Sequence, residues 1–221
     1  MQQLAPGLWH LSSRLPNAIN CYLAGDVLID AATKLSARRL IKRLGNRELS
    51  GHVLTHAHYD HQGASHAICE RYGCPLSVGA ADAGAIETGD FTAQLPASPI
   101  AAIEERVWKG PPHPVARRLV EDDEVAGFRV LETPGHSPGH IVLWREADRV
   151  LVAGDVLNNM NVMTGRPGLH TPPDFFTPDP ARNRESARRL AALEPALVVF
   201  GHGPPLRDPK KLAAFVATLP D

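Results

Sequence analysis

The sequence predicts a protein of the α/β class, on three observations. Its 221 residues, 43% of them hydrophobic, suffice to bury a sizeable core. Short apolar segments alternate with amphipathic segments of helical spacing, as in sheets that are covered by helices. The 18 glycines and 20 prolines indicate many turns without reaching low-complexity levels. We expect one domain over residues 1–221.

The first half of the chain predicts a hairpin followed by alternating helices and strands. Residues 18–32 are apolar around the pair Gly25-Asp26, which predicts two strands joined by a tight turn. Leucine and isoleucine then recur at helical spacing up to Gly45, a stop signal. The remaining elements expected here are a strand at 52–55, a helix at 63–72 and a strand at 76–78.

The second half continues the same alternation after a proline-rich stretch. Residues 88–118 are expected to form surface loop with one short helix near 100–107, and to separate the two halves. Residues 158–178 are expected to form a second long loop. The predicted strands are 124–132, 141–144, 150–153 and 196–200, and the predicted helices are 180–193 and 210–219.

Charge and composition exclude several classes of partner. The 23 Lys and Arg residues against 24 Asp and Glu give a net charge of −1, which provides little counterion-release drive for nucleic acid. The apolar runs are far shorter than the ~20 residues that span a bilayer. The chain opens without the pattern of a secretory signal, and its 3 cysteines are expected to be thiols. We therefore expect a cytoplasmic protein that binds neither membranes nor nucleic acid.

Four of the chain's ionisable side chains are crowded directly after the strand predicted at 52–55. His56, His58, Asp60 and His61 occupy six positions, in the pattern HxHxDH. Imidazole nitrogen and carboxylate oxygen are preferred ligands of zinc, and a loop after a strand can turn alternate side chains toward one point. This density predicts a metal-binding loop.

Three more strand ends each carry one residue of the same kind. His136 follows the strand that ends at Glu132, Asp155 follows the strand at 150–153, and His202 follows the strand at 196–200. Glycines flank His202, which would let the backbone pass close to a site. These residues are candidate ligands of the same centre.

The order HxHxDH, H, D, H resembles that of the metallo-β-lactamase-fold hydrolases, and the resemblance covers most of the chain. It implies a four-layered αββα sandwich with a dimetal site at one edge of the sheets. It also implies two metal ions, expected to be zinc, with iron or manganese as alternatives. The implied ligands are His56, His58 and His136 for the first ion, Asp60, His61 and His202 for the second, and Asp155 between the two.

Such a centre is suited to hydrolysis. Two cations about 3.5 to 4 Å apart lower the pKa of a bridging water and polarise the carbonyl under attack, so the bridging hydroxide would be the nucleophile. Asp60 is the candidate catalytic residue that orients the hydroxide and passes its proton to the leaving group. Asp30 is expected to accept a hydrogen bond from a ligand histidine. The expected substrate is a small ester-type molecule, such as a lactone or a thioester.

Other activities of the same fold stay open to different degrees. A mononuclear iron persulfide dioxygenase is the main alternative, because that class shares this fold and holds its one iron with two histidines and an aspartate. Zinc β-lactamases typically carry Cys or Ser where this chain has Asp155. Glyoxalase II carries a further helical domain, whereas 19 residues follow His202 here. Nucleases of this fold carry inserted domains. The oligomeric state is left open.

The segment 158–178 is the predicted wall of the substrate cleft, because it begins three residues after Asp155. Long loops in compact domains are often functional. Phe175 and Phe176 would supply apolar lining, and Arg166 or His170 would meet a substrate carboxylate or carbonyl. Tyr59 is a further candidate for substrate contact.

Overall fold

Two β-sheets packed face to face form the centre of the molecule, in a computed structural model that describes residues 1–12 and 15–220. The first sheet has seven strands in sequence order. Its first four strands are antiparallel and the last four are parallel. The strands are β1 (Gln2–Ala5), β2 (Leu8–Ser12), β3 (Asn20–Ala24), β4 (Val27–Ile29), β5 (Gly51–Leu54), β6 (Leu76–Gly79) and β7 (Arg117–Leu119). The hairpin predicted at 18–32 is confirmed as β3 and β4.

Five helices accompany the first sheet, and their ends follow local sequence signals. They are α1 (Ala37–Leu44), α2 (Tyr59–Gln62), α3 (Ser65–Tyr72), α4 (Ala83–Thr88) and α5 (Pro99–Trp108). Gly73 caps the C-terminus of α3, and its left-handed φ of 62° suits glycine. Ser98 caps the N-terminus of α5, where its hydroxyl accepts a hydrogen bond from the backbone N–H of Ala101 at 3.0 Å. The helix predicted near 100–107 is thus confirmed.

The second sheet has five strands, and a separate two-stranded hairpin lies beside it. In chain order the strands of this half are β8 (Glu124–Val125), β9 (Phe128–Glu132), β10 (Ile141–Arg145), β11 (Val150–Val152), β12 (Asn158–Met160), β13 (Pro167–His170) and β14 (Leu197–Val199). The sheet order is β14-β11-β10-β9-β8, and β12 pairs only with β13. Helices α6 (Pro180–Ala192) and α7 (Pro209–Val216) belong to this half.

Three buried apolar clusters show that the layers are stacked as helix, sheet, sheet, helix. The central cluster joins one face of each sheet, with Tyr22 and Val53 against Phe128 and Leu143. A second cluster packs the other face of the first sheet on α1 and α3. The third packs the other face of the second sheet on α6 and α7. Because successive strand residues point to opposite faces, each sheet contributes to two clusters. The αββα sandwich is therefore confirmed.

Two sequence-based boundaries were wrong. Residues 124–132 form β8 and β9 rather than one strand, since Ala126 and Gly127 both adopt positive φ, 52° and 77°, in a tight turn. The stretch 88–118 does not separate the halves. Its last residues enter β7, which pairs with β6, so the first sheet extends to Leu119.

The segment 158–178 is not a loop throughout, as the sequence had suggested. Its first part is the antiparallel hairpin of β12 and β13. The prolines that favoured a loop lie at the ends of the paired residues, where the lost N–H costs no ladder bond.

Within residues 1–12 and 15–220, every helix is too short or too polar to traverse a lipid bilayer. Cys21, Cys69 and Cys74 are buried free thiols, as expected.

Candidate metal centre

The seven predicted ligands meet at one edge of the sandwich. The loop 55–58 and helix α2 follow β5, while the other three residues follow β9, β11 and β14. All seven side chains are buried except that of Asp60, which is 19% exposed. Strand ends from both sheets therefore bring together residues that lie far apart in sequence.

The first group comprises His56, His58 and His136, whose candidate ligand atoms all lie within 4.8 Å of one another. Each ring has one nitrogen engaged elsewhere. Nε2 of His58 donates to the carbonyl oxygen of Gln94 at 2.8 Å, and Nδ1 of His136 lies 3.1 Å from the Thr177 hydroxyl. Such bonds fix ring orientation and leave the second nitrogen for a ligand.

The second group comprises Asp60, His61 and His202, also within 4.8 Å. Nε2 of His202 lies 3.2 Å from Oδ2 of Asp60. Nδ1 of His61 donates to Oδ2 of Asp30 at 2.9 Å, the hydrogen bond that the sequence had suggested for this carboxylate. Asp30 also accepts from the backbone N–H of Thr55 at 2.8 Å, so it connects the first hairpin to the ligand loop.

Asp155 lies between the two groups. Its carboxylate oxygens are 3.6 Å from Nε2 of His61, 3.7 Å from Nε2 of His136 and 3.0 Å from Nε2 of His202. Its backbone N–H donates to Nε2 of His140 at 3.1 Å, which fixes the residue in place. A side chain at Gly201 would overlap with the Asp155 carboxylate, so this position admits only glycine.

Unpaired polar atoms indicate that the cluster fits metal ions. Nε2 of His56, His61 and His136 and Oδ1 of Asp155 are buried without a hydrogen-bond partner among the described residues. Leaving such atoms unpaired costs about 1–3 kcal/mol each, and buried polar atoms normally have partners. Divalent cations between these atoms would satisfy all four. Ligation by the seven residues remains a prediction that this geometry supports.

The electrostatics separate the two groups. Burial, with a contribution from neighbouring imidazoles, holds the pKa of His56 and His136 well below the usual range. Burial also opposes the protonation of His202, but Asp155 and Asp60 outweigh it and raise the pKa of His202 to about 10. The imidazoles of the first group are thus neutral, the form that binds a cation. Binding of a cation at the second group would release protons.

Asp82 is a structural contributor that the sequence analysis missed. It is fully buried, and its carboxylate accepts from the Ala57 N–H at 2.8 Å, the Ser137 hydroxyl at 2.6 Å and the Gly139 N–H at 2.8 Å. These donors belong to the loops that carry His56, His58 and His136. One carboxylate therefore holds the two loops of the first group together.

A cavity of about 290 Å³ opens over the cluster. Its lining includes Tyr59, the first residue of α2, and is largely apolar outside the ligand set. Glu104 on α5 is the one carboxylic acid outside the ligand set in the described lining, which contains no lysine or arginine. The apolar side chains are those of Leu15, Ala18, Ile19, Leu95, Trp108, Met160, Val162, Met163, Pro172, Pro173 and Phe176.

The segment 158–178 supplies one wall of the cavity, although not with every residue expected. Phe176 lines it, whereas Phe175 is 39% exposed and turned away from the lining. Arg166 and His170 are also outside the lining, because they lie at the turn and far strand of the β12–β13 hairpin. Contact of this segment with substrate remains a prediction.

Comparison with known proteins finds the family that the order of the candidate ligands resembles. The model of the metallo-beta-lactamase superfamily matches residues 14–202. A probable metallo-hydrolase of Bacillus subtilis, YflN, is 32% identical over 229 residues, covering 92% of this chain and 86% of that protein. A hydroxyacylglutathione hydrolase of Rhodospirillum rubrum is 32% identical over 157 residues, which are 68% of this chain and 47% of that protein.

Solved structures share the fold. A metallo-beta-lactamase family protein from Thermus thermophilus aligns over 97% of this chain and 80% of its own, with a TM-score of 0.69 and 25% identity. A protein solved in a di-iron-bound form aligns over 93% of both chains, with a TM-score of 0.64 and 27% identity. On its sequence, its layered sheets and the family match over residues 14–202, the chain belongs to the metallo-beta-lactamase superfamily.

Proposed function

We propose that this protein is a dinuclear metal-dependent hydrolase of a small ester-type substrate, such as a lactone or thioester. The observation that carries the proposal is the pairing of two ligand groups of three residues around Asp155, at the floor of a largely apolar cavity. Membership of a superfamily whose similar proteins carry hydrolase names supports the same reaction type.

The seven residues would hold the two ions as the sequence suggested, the first on His56, His58 and His136 and the second on Asp60, His61 and His202. When bound, such ions supply an activated water and a polarised carbonyl. Asp155 would keep the two groups at a fixed separation.

Asp60 is the proposed catalytic carboxylate. It lines the cavity, as four other candidate ligands do, but it alone among the seven is partly exposed, at 19%. Burial opposes its ionisation, but His61 and His202 outweigh that effect and lower the pKa of Asp60 to about 2. It is therefore ionised at neutral pH, able to orient the attacking water and to transfer its proton onward to the leaving group.

The cavity favours uncharged or cationic substrates over anionic ones. Outside the ligand set, its described lining residues include the acid Glu104 and no lysine or arginine. A glutathione thioester carries carboxylates, for which the lining outside the ligand set provides no lysine or arginine. We therefore favour a neutral, apolar lactone or ester over the substrate class that the name of the Rhodospirillum rubrum relative states.

The identity of the metal is part of the proposal. The donor set of five imidazoles and two carboxylates suits zinc, iron and manganese. Zinc is proposed first, and the structural relative in a di-iron-bound form makes iron the main alternative. A persulfide dioxygenase with one iron is the second candidate function. A site with one iron would leave the second ligand group without a role, although His61 in that group is held in place by its hydrogen bond to Asp30.

The proposal also covers the protein's cellular compartment and the kind of molecule that it binds. The three buried free thiols agree with a reducing compartment, and we propose the cytoplasm. The net charge of −1 supports a small-molecule substrate rather than nucleic acid.

A substrate panel tests the proposed activity. The purified protein, loaded with zinc, iron or manganese, is assayed on neutral lactones, esters, anionic thioesters, phosphodiesters and β-lactams, with oxygen uptake recorded on a persulfide. We expect the highest kcat/KM on a neutral lactone or ester and no oxygen uptake. Oxygen consumption with persulfide and no hydrolysis would favour the second candidate.

A further inference from the structure

A second cluster of metal-binding side chains lies outside the cavity. His66 and Glu70 are four residues apart on α3, which places them on one face of that helix. His113 faces them from the segment between α5 and β7. One candidate ligand atom from each residue lies within 4.8 Å of the other two.

The two imidazoles already have the separation of metal ligands. Their Nδ1 atoms share a hydrogen bond at 3.2 Å, which an ion would replace, and the rings meet nearly at right angles, at 78°. Two zinc–nitrogen bonds of 2.0–2.1 Å at a tetrahedral angle place the nitrogens about 3.3 Å apart. The pair therefore needs little rearrangement to share an ion between the two nitrogens.

The backbone around His113 is held on both sides. Its own N–H donates to the Ile86 carbonyl at 3.0 Å, and the Ala116 N–H donates to the Leu76 carbonyl at 2.8 Å. Earlier in the segment, Gly110 packs so closely on the backbone of Gly63 that a Cβ would overlap it. A site anchored in this way loses little conformational entropy when it binds an ion.

We propose that His66, Glu70 and His113 form a separate site for one divalent transition-metal ion, with zinc as the best match and water as the fourth ligand. Two imidazoles and one carboxylate are a donor set that zinc takes elsewhere, and the carboxylate offsets part of the ion's charge. Magnesium and calcium prefer all-oxygen ligands, so they fit poorly.

The site would act as a structural crosslink. It joins α3, which follows the ligand loop, to the segment that continues from Trp108 and the cavity wall on α5. Both imidazoles are partly buried and Glu70 is exposed, so the ion would be reachable from solvent. The inference is independent of the proposed hydrolytic function.

Equilibrium dialysis of the full-length protein against micromolar zinc provides the test. We expect wild type to bind one more zinc per chain than His113→Ala, whatever number the cavity holds. Ligand binding to the folded state alone raises its stability, so the thermal midpoint in zinc should rise more for wild type than for the variant. Magnesium should produce neither effect.

Two further variants make the result specific. Glu70→Gln changes an exposed side chain, keeps the fold, and should weaken the extra zinc about tenfold. Glu105→Gln changes an exposed carboxylate outside both clusters, paired with Lys109, and should bind zinc as wild type does. Hydrolysis should persist in all variants. Equal zinc counts in wild type and His113→Ala, or an extra ion unaffected by Glu70→Gln, would show an adventitious ion only and overturn the proposal.

Discussion

Asp155 is the residue on which the two ligand groups depend. Its oxygens approach His61, His136 and His202, and no other described carboxylate lies near all three imidazoles. Loss of a partner that only supports a metal ligand typically costs 10–100-fold, so loss of one negative charge between two cations should cost more.

Replacing this carboxylate by its isosteric amide is therefore the first prediction. Asp155→Asn should lower kcat at least ~100-fold and reduce bound metal, both measured on the same preparation. Asp148→Asn, in the turn before β11, is the matched control, since Asp148 pairs with Arg145 away from the cluster. Wild-type turnover and metal content in Asp155→Asn would contradict the bridging role.

Glu104 is predicted to determine the charge of accepted substrates. Its carboxyl is half-buried in the cavity wall, where desolvation and the nearby Asp60 charge raise the pKa of Glu104 to about 7. Glu104→Gln should improve kcat/KM for an anionic substrate about tenfold, or about 1.4 kcal/mol, relative to its neutral analogue. Glu105→Gln, on the exposed side of α5 in an ion pair with Lys109, should not change this ratio. An unchanged ratio in Glu104→Gln would remove Glu104 from substrate selection.

At the scale of elements, the segment 158–178 is predicted to shape substrate binding through one of its two phenylalanines. Phe176→Ala should raise KM about tenfold and leave bound metal intact, because burial of an apolar side chain is worth about 1.5–3 kcal/mol when complete and 1.4 kcal/mol corresponds to a factor of ten. Phe175→Ala provides the matched control, since its ring touches Phe176 but is turned outside the cavity lining. Equal effects of the two variants would mean that the segment acts through stability alone.

The candidate ligands at the strand ends were predictable because the sequence signals that mark them are local. Each candidate ligand follows an apolar run that ends in glycine or a turn, so the sequence alone predicted seven candidate ligands, and the structure brings their side chains together. The order of those residues along the chain supplied the fold through its resemblance to a family.

Other residues and strands that shape the site and the fold could not be predicted from the sequence, because their roles arise from long-range contacts. Asp82 is the N-cap residue of α4, but its carboxylate makes no capping bond and receives its three hydrogen bonds from residues 25 to 57 positions away. Glu104 lies in the helix predicted near 100–107, inside a stretch that was expected to cover the surface, and only the packing of α5 brings its side chain to the cavity. Strands β1 and β2 lie in an N-terminal stretch whose pairing with β3 the sequence pattern did not reveal.

For the whole molecule, His52 predicts how stability depends on pH. The imidazole is fully buried, donates from Nδ1 to the Leu28 carbonyl and accepts at Nε2 from the Ser65 hydroxyl. Burial lowers the pKa of His52 from 6.5 to about 4. The unfolded chain therefore binds more protons between these two values, and stability is lost as the pH falls through that window.

Denaturant unfolding of wild type and His52→Gln from pH 7 to pH 4 checks this prediction. Wild type should lose up to about 3 kcal/mol more than the variant across the window, at 1.36 kcal/mol for each unit of pKa shift. Parallel loss in both proteins would show that His52 does not titrate on unfolding.

The two-metal architecture is tested most directly by counting the ions that activity requires. Metal-free His66→Ala protein, which lacks the complete cluster of His66, Glu70 and His113, is titrated with zinc. Hydrolysis of a neutral lactone or ester is followed during the titration. Two complete ligand groups joined by Asp155 predict that activity rises to a plateau at two zinc ions per chain. Full activity at one ion per chain, unchanged by a second, would contradict the dinuclear account.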